Sequence, residues 1–359
     1  MTRTQGIVIT QTPFRIGFFG GGTDFPDFFN QSRGAVLGAA IDKYMYVTVN
    51  SLARFFEKRI RLSYAKLEYV NQPSQLENEI ARRILETHPC LDENSFLDIN
   101  TFADLPGASG VGSSSSFTVG MLNAIYALHG IYRLPELLAE EAIQIERGGE
   151  LQKTGGWQDQ VYAACGGFNK IIFSQNRFHI EPICLSYEKK RALESACMMF
   201  FIGGLRSSAE MQTQTFHENS KDHRNQRLEK LCEQVDDAFS ILTNSHYTAS
   251  EMIERFGKLL HYAWEVKRSI ASHISNPHVD AVYAKALSAG AYGGKLCGAG
   301  GGGFLLLVAP PEKRPQITQA LSEHKLLDIA FQEHGSRVIY SKSCHPQSVS
   351  AQLEPVLVT

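Results

Sequence analysis

The stretch Leu105-Pro-Gly-Ala-Ser-Gly-Val-Gly-Ser-Ser-Ser-Ser116 runs without a break into Phe117-Thr-Val-Gly-Met-Leu-Asn-Ala-Ile-Tyr-Ala-Leu-His129. From Ser113 to His129 there is no Asp, Glu, Lys or Arg, and the apolar residues surround the axis instead of forming one stripe. That spacing predicts a buried helix over 113–129, with Gly130 at its C-terminal cap. Glycines and small hydroxyls directly before such a helix suit a phosphate. Glycine lets the backbone approach an anion, the first helical N–H groups lack partners, and the helix dipole adds positive charge at the same point. Gly107 to Ser114 nearly fits G-x-x-x-x-G-K-[ST], but Ser113 stands where the lysine belongs. Magnesium and residues elsewhere in the chain must then neutralise the phosphates, so a carboxylate ligand is expected outside the loop.

Upstream, β-branched and aromatic residues predict strands over 6–17 and 35–50, separated by the glycine- and aspartate-rich loop from Phe18 to Arg33. A helix is expected over 75–87 and a strand over 96–101. Downstream, Pro135 opens a helix that ends near Glu146, and short strands follow over 168–173 and 178–183. The basic segment Glu188 to Arg191 reads as a junction. Beyond it the chain turns helix-rich, with a strand over 196–202, amphipathic stretches over 209–243 and 248–272, a helix over 276–289 and a central strand over 304–309.

At 359 residues the chain exceeds what one core usually organises, so two domains are expected, 1–190 and 191–359. A formal charge of −2 without long basic blocks points away from nucleic acid and anionic membranes, and towards a small-molecule partner. Seven cysteines without a C-x-x-C pair read as buried or free thiols. No export signal and no apolar run of about 20 residues is visible, so a cytoplasmic location is expected.

Three further segments carry polar chemistry. Gly155-Gly-Trp-Gln-Asp-Gln160, closed by Gly166-Gly167, frames Asp159 between glycine pairs, as a turn residue or a functional acid. Glu146, thirteen residues earlier, is a metal ligand or a surface charge beside Arg147. Thr12-Pro-Phe-Arg-Ile-Gly-Phe-Phe-Gly-Gly-Gly-Thr-Asp24 contains no G-x-G-x-x-G frame, which argues against dinucleotide binding. Its Asp24 either orients a substrate hydroxyl or caps a turn. The last segment is Cys297-Gly-Ala-Gly-Gly-Gly-Gly-Phe304.

In this order the four segments resemble the GHMP kinase superfamily across most of the chain. The resemblance implies an α+β, two-domain fold with the active site in the interdomain cleft, and ATP with Mg2+ as cofactors. It assigns Pro106, Gly107, Ser109, Gly110, Val111, Gly112, Ser113, Ser114 and Ser115 to the nucleotide phosphates. Ser114 and Glu146 would hold Mg2+, Asp159 would activate the substrate hydroxyl, and Arg15 would keep Asp159 ionised or stabilise the transferred phosphoryl. Gly21, Gly22, Thr23, Asp24, Gly156, Gly300 and Gly301 would contact substrate. Within the superfamily, Gly20-Gly-Gly-Thr-Asp24 with Gly-Gly-Trp-Gln-Asp-Gln is most similar to bacterial kinases of D-glycero-D-manno-heptose 7-phosphate, with L-fucose kinases as the neighbouring alternative. A second phosphate on the substrate would need a basic cluster, for which Arg206, Lys221, Arg224 and Lys295 are the candidates.

Overall fold

A computed structural model of the chain describes residues 5–53, 57–88, 95–148, 155–204, 221–298 and 300–344. The first half contains β1 (Gln5–Phe19), α1 (Pro26–Phe29), β2 (Gly34–Ala53), β3 (Ile60–Ser63), β4 (Leu67–Val70), α2 (Glu79–Thr87) and β5 (Ser95–Ala103). It continues through α3 (Ser113–Leu128), α4 (Pro135–Arg147), α5 (Gln158–Cys165), β6 (Phe168–Ser174), β7 (Arg177–Pro182) and α6 (Tyr187–Ala196). The later strands are β8 (Cys197–Gly203), β9 (Gly293–Leu296), β10 (Gly303–Val308), β11 (Lys325–Leu327) and β12 (Arg337–Cys344). Between β8 and β9 the described residues form three long helices, Lys221–Thr243, Ala249–Arg268 and Pro277–Ser288.

Two sheets result. The larger runs β12-β1-β2-β5-β3-β4, with β6 and β7 continuing from the first half of β2; the smaller runs β11-β8-β10-β9. All pairs are antiparallel except β3 with β5. The uncharged helix α3 lies on the larger sheet, as its all-round apolar surface requires. Two hydroxyls tie it to β1: Thr10 Oγ1 of the strand donates to Gly120 O at 2.9 Å, and Ser116 Oγ of the helix donates to Pro13 O at 2.8 Å.

Strand β1 serves two cores. Val8 packs with α3, whereas Phe14, Ile16 and Phe18 belong to the core of the C-terminal half. The change coincides with a register shift between Pro13 and Phe14, and beyond it Arg15 faces the loop before α3. Helix Ala249–Arg268 begins with a capping box between Thr248 and Glu251 and buries Met252, Ile253, Phe256, Leu260, Ala263 and Trp264 at helical spacing. Phe256 meets Phe18 and Phe19 edge-on, with ring centroids 5.2 and 5.1 Å apart, so this helix is seated on the end of β1.

Three sequence expectations change. Residues 188–191 are helical, within α6, so the division at 190/191 falls inside a helix. Strand β12 returns to the first sheet and pairs with β1, so the larger sheet draws its strands from both ends of the chain. Asp159 stands in the first turn of α5 and not in a bare glycine turn. Arg206 and residues 209–220 of the amphipathic stretch lie outside the described residues. Among the described residues no helix is long and apolar enough to cross a membrane.

Phe256→Ala would empty the contact between the long helix and the end of β1, and is expected to cost ~3–5 kcal/mol, read as a lowered urea midpoint.

Candidate active site

A cavity of about 450 Å³ opens where the end of β1, the glycine turn after it, the loop before α3, the start of α5 and two C-terminal helices converge. Of the expected phosphate contacts, Gly110, Gly112, Ser113, Ser114 and Ser115 line it, together with Ala108. Pro106, Gly107, Ser109 and Val111 do not. Pro106 and Gly107 are exposed outside, the Ser109 hydroxyl donates to Pro106 O at 2.7 Å, and Val111 is wholly buried. Gly112, at φ 81°, caps α3 without any side-chain hydrogen bond, which leaves the first helical N–H groups open to an anion.

The loop is fixed from two sides. Arg15 N–H donates to Val111 O at 3.1 Å, and its Nη1 donates to Gly110 O at 2.6 Å. From the other side comes the last glycine segment: a Cβ on Gly110 would lie 2.4 Å from Cys297 O, and one on Gly303 would lie 2.5 Å from Ser109 O. Backbone touches backbone here, and a side chain at either position would force the loops apart. This segment therefore props the phosphate loop. Gly300 and Gly301 do not line the cavity; Gly301 N–H donates to Ile274 O at 3.2 Å and its carbonyl accepts from Asn276 Nδ2 at 3.2 Å. Gly298 is the member of the segment that does line it.

Asp159 and Arg15 form the central ion pair. Arg15 Nε and Nη2 both reach Asp159 Oδ1, at 2.8 and 2.7 Å, so the second oxygen is left over. That oxygen, Oδ2, lies 3.5 Å from the point where a Cβ on Gly112 would sit, facing the phosphate loop. Burial works against the Arg15 charge, but Asp159 beside it leaves the guanidinium above its ordinary value.

Glu146 is 3% exposed, not a surface charge. Its carboxylate accepts from Ser115 Oγ at 3.1 Å, Thr118 Oγ1 at 2.7 Å and Gln160 Nε2 at 2.9 Å, with Arg147 Nη2 at 3.6 Å. Burial pushes Glu146 up, and the neighbouring Arg147 and hydroxyls only partly offset it. Ser115, not Ser114, touches it; Ser114 is exposed at the cavity wall. The donor set fits magnesium: hard oxygens, a carboxylate short of positive charge, and a buried Gln160 Oε1 without a hydrogen-bond partner. Among the described residues no three His, Cys, Asp or Glu side chains gather around a common point. A magnesium ion would thus take most of its oxygens from phosphates and water, with Ser114 and Glu146 as the protein donors.

The opposite wall is built on Asp24. Its Oδ1 accepts from Gly22 N–H at 2.9 Å and its Oδ2 from Gln158 Nε2 at 2.9 Å, and Trp157 N–H donates to its carbonyl at 3.1 Å. Asp24 thereby ties the first glycine turn to α5. A Cβ on Gly156 would fall 1.8 Å from Asp24 Oδ2, so this glycine makes room for a carboxylate. Gly21, Gly22, Asp24 and Gly156 line the cavity; Thr23 does not. Thr23 is wholly buried, donating to Ala35 O at 2.6 Å while its Oγ1 accepts from Ala35 N–H at 3.0 Å, a structural clasp.

Two lysines complete this wall. Lys295 Nζ donates to Gly17 O and Lys267 Nζ to Gly21 O, each at 2.8 Å. Lys267 escaped the sequence reading because it ends an ordinary amphipathic helix; a cation one turn beyond the buried Trp264 was the available signal. Arg224 also lines the cavity. The side chain of Lys221 is not among those described.

The chain matches the GHMP kinases N terminal domain over residues 76–167 and the GHMP kinases C terminal domain over residues 246–325. It is 28% identical over 337 residues to the D-glycero-alpha-D-manno-heptose 7-phosphate kinase of Campylobacter jejuni, covering 91% of this chain and 97% of that one. It is 24% identical to the L-fucokinase/L-fucose-1-P guanylyltransferase of Bacteroides fragilis, over 89% of this chain but 36% of that protein. Among solved structures, a D-glycero-D-manno-heptose 1-phosphate kinase from Bacteroides thetaiotaomicron superposes with a TM-score of 0.70 at 24% identity, covering 95% of this chain and all of that one.

Two predictions follow from the geometry. Gly156→Ala must displace Asp24 or the start of α5, with an expected ~1–3 kcal/mol loss of stability in thermal unfolding and an accompanying fall in activity. Burial, reinforced by Lys267 and Arg15, pushes Lys295 down to about 8. Its charge is present below that pH, so kcat/KM for an anionic substrate is expected to fall as pH rises through about 8. Between there and the ordinary value of 10.5 the unfolded chain binds more protons at this lysine, so its contribution to stability rises with pH over the same window. Parallel pH profiles of kcat/KM and of thermal midpoint check both signs against Lys295→Met.

Proposed function

We propose that this chain, which matches the N- and C-terminal domains of the GHMP kinases, transfers the γ-phosphoryl group of ATP to the anomeric hydroxyl of D-glycero-D-manno-heptose 7-phosphate, giving the 1,7-bisphosphate. The observation that carries the reading is the Asp159–Arg15 pair beside an uncapped helix N-terminus, with Asp159 Oδ2 turned towards the phosphate loop. A sugar phosphate is preferred to a neutral acceptor because Lys267, Lys295 and Arg224 gather in the cavity lining, where the carboxylates on the same side are Asp24 and Asp27. The similarity to the Campylobacter heptose kinase, over nearly the whole of both chains, supports the same choice.

In this reading the nucleotide phosphates lie against Gly110, Gly112 and the first N–H groups of α3. Arg15 holds Oδ1 of Asp159, and Oδ2 accepts the proton from the attacking hydroxyl as the phosphoryl group passes in line. Magnesium, held by Ser114 and Glu146, would neutralise the phosphate charge. Asp24, Gly21, Gly22 and Gly156 orient the sugar. Little covalent work falls to the protein, so positioning and fixed charge supply most of the rate.

The test is ATP consumption with magnesium against heptose 7-phosphate, the same heptose without phosphate, L-fucose, galactose, mevalonate and homoserine. The highest kcat/KM on heptose 7-phosphate supports the reading, and a higher value on another member, or no turnover at all, rejects it. Asp159→Asn is expected to lower kcat by ~100-fold or more while ATP binding, measured by calorimetry, changes little.

A further inference from the structure

We propose that Lys267, flanked by Lys295, is the anchor for the phosphate that the substrate already carries, and so sets the preference for a phosphorylated over a neutral sugar. The assignment rests on the sugar-kinase reading above.

The charges around the cavity lead to it. Arg15 is matched by Asp159, and Arg147 leans on Glu146. Both oxygens of Asp24 accept from N–H groups of Gly22 and Gln158. Among the described residues neither Lys267 nor Lys295 forms an ion pair; the hydrogen bond given to each ammonium goes to a backbone carbonyl. Each retains donor capacity, since an ammonium has three N–H groups. Burial pushes Lys267 down, and Lys267 and Lys295 repel one another. Asp24 favours both charges from nearby but does not offset their burial, and its oxygens are already committed to Gly22 and Gln158, so two ammonium groups held side by side call for a further anion between them.

The position also suits a remote phosphate. Arg15, Lys295 and Lys267 reach Asp159, Gly17 O and Gly21 O in turn, a line of cations leading away from the phosphoryl-transfer end. The point where a Cβ on Gly22 would sit is 3.1 Å from both Lys267 Nζ and Leu228 Cδ2, so the bare glycine keeps the approach to the ammonium open. Arg224 lies one turn before Leu228 on the same helix face and lines the same cavity. Lys267 hangs on the turn that orients the sugar and Lys295 on the end of β1 just before it, so a phosphate bound there fixes the sugar relative to Asp159.

The experiment compares wild type, Lys267→Met and Lys267→Arg on heptose 7-phosphate and on the same heptose without phosphate. Loss of one hydrogen bond to a charged group is expected to lower kcat/KM for the phosphorylated sugar by ~10–150-fold, mainly through KM. The neutral sugar, which loses only the support that Lys267 gives the Gly21 turn, should fall by a clearly smaller factor, and Lys267→Arg should recover part of the preference. Equal losses on both sugars would overturn the assignment and leave Lys267 as a support for the Gly21 turn. A wild type that prefers the neutral sugar would overturn it while the kinase reading stands. A second arm does not depend on the sugar: with the phosphate loop filled by MgADP, inorganic phosphate should raise the thermal midpoint of wild type but not of Lys267→Met. Equal shifts in the two proteins would overturn the assignment even if no sugar in the panel were turned over.

Discussion

The site depends on one buried guanidinium. Arg15 is 6% exposed, and its amide and side chain reach Val111 O, Gly110 O and Asp159 Oδ1 at once. One residue thus sets the distance between the loop that receives phosphate and the carboxylate that receives the proton. A buried charge of this kind persists only when its partners are in place, because removing one leaves the other uncompensated. The register shift in β1 matters for the same reason: it lets a strand whose preceding residues serve α3 present Arg15 to the loop while Phe14 and Ile16 join the other core.

Around that pair the site is electrostatically incomplete in two opposite senses. Glu146 is buried with hydroxyls and an amide as its close donors, and burial holds it towards its neutral form. Lys267 and Lys295 are held by carbonyls, and burial holds them towards theirs. A cation at the first and an anion at the second would each relieve a strain already built into the fold. Because the groups are fixed before the ligand arrives, little reorganisation accompanies binding, which is the condition under which fixed charge is most effective. The unliganded protein carries the cost as lost stability.

Much of the fold and the core of the site were legible in the sequence. Helix α3 was visible because a run of seventeen residues without Asp, Glu, Lys or Arg can hardly be anything but buried, and Ser113–Leu128 differs from the expected bounds by one residue. Asp159 and Asp24 were named because glycine-rich segments carry them, Glu146 because it is the last strong acid of a mostly apolar helix, and Arg15 through the family resemblance. What escaped depended on tertiary contact. Strand β12 alternates weakly and acquires its meaning only by pairing with β1, more than 300 residues earlier. Lys267 sits at the end of an ordinary amphipathic helix, and the seating of Phe256 on Phe18 and Phe19 is what carries it to the cavity.

The glycines show why motif and contact differ. A glycine in a loop is compatible with two causes, close approach of a ligand or close approach of another chain segment, and the sequence looks the same in both cases. Here Gly110, Gly303 and Gly156 answer to the second cause: their missing side chains leave room for Cys297 O, Ser109 O and the Asp24 carboxylate. The four glycine segments are therefore parts of one assembly, each shaped to fit the next, and their order along the chain reflects that mutual fit as much as any contact with ligand. The family resemblance assigned Gly300 and Gly301 to the substrate; in the structure they lie outside the cavity lining, and their segment packs against the phosphate loop. The polar atoms that face the cavity come from the residues between the glycines, and from two lysines delivered by the opposite half of the fold.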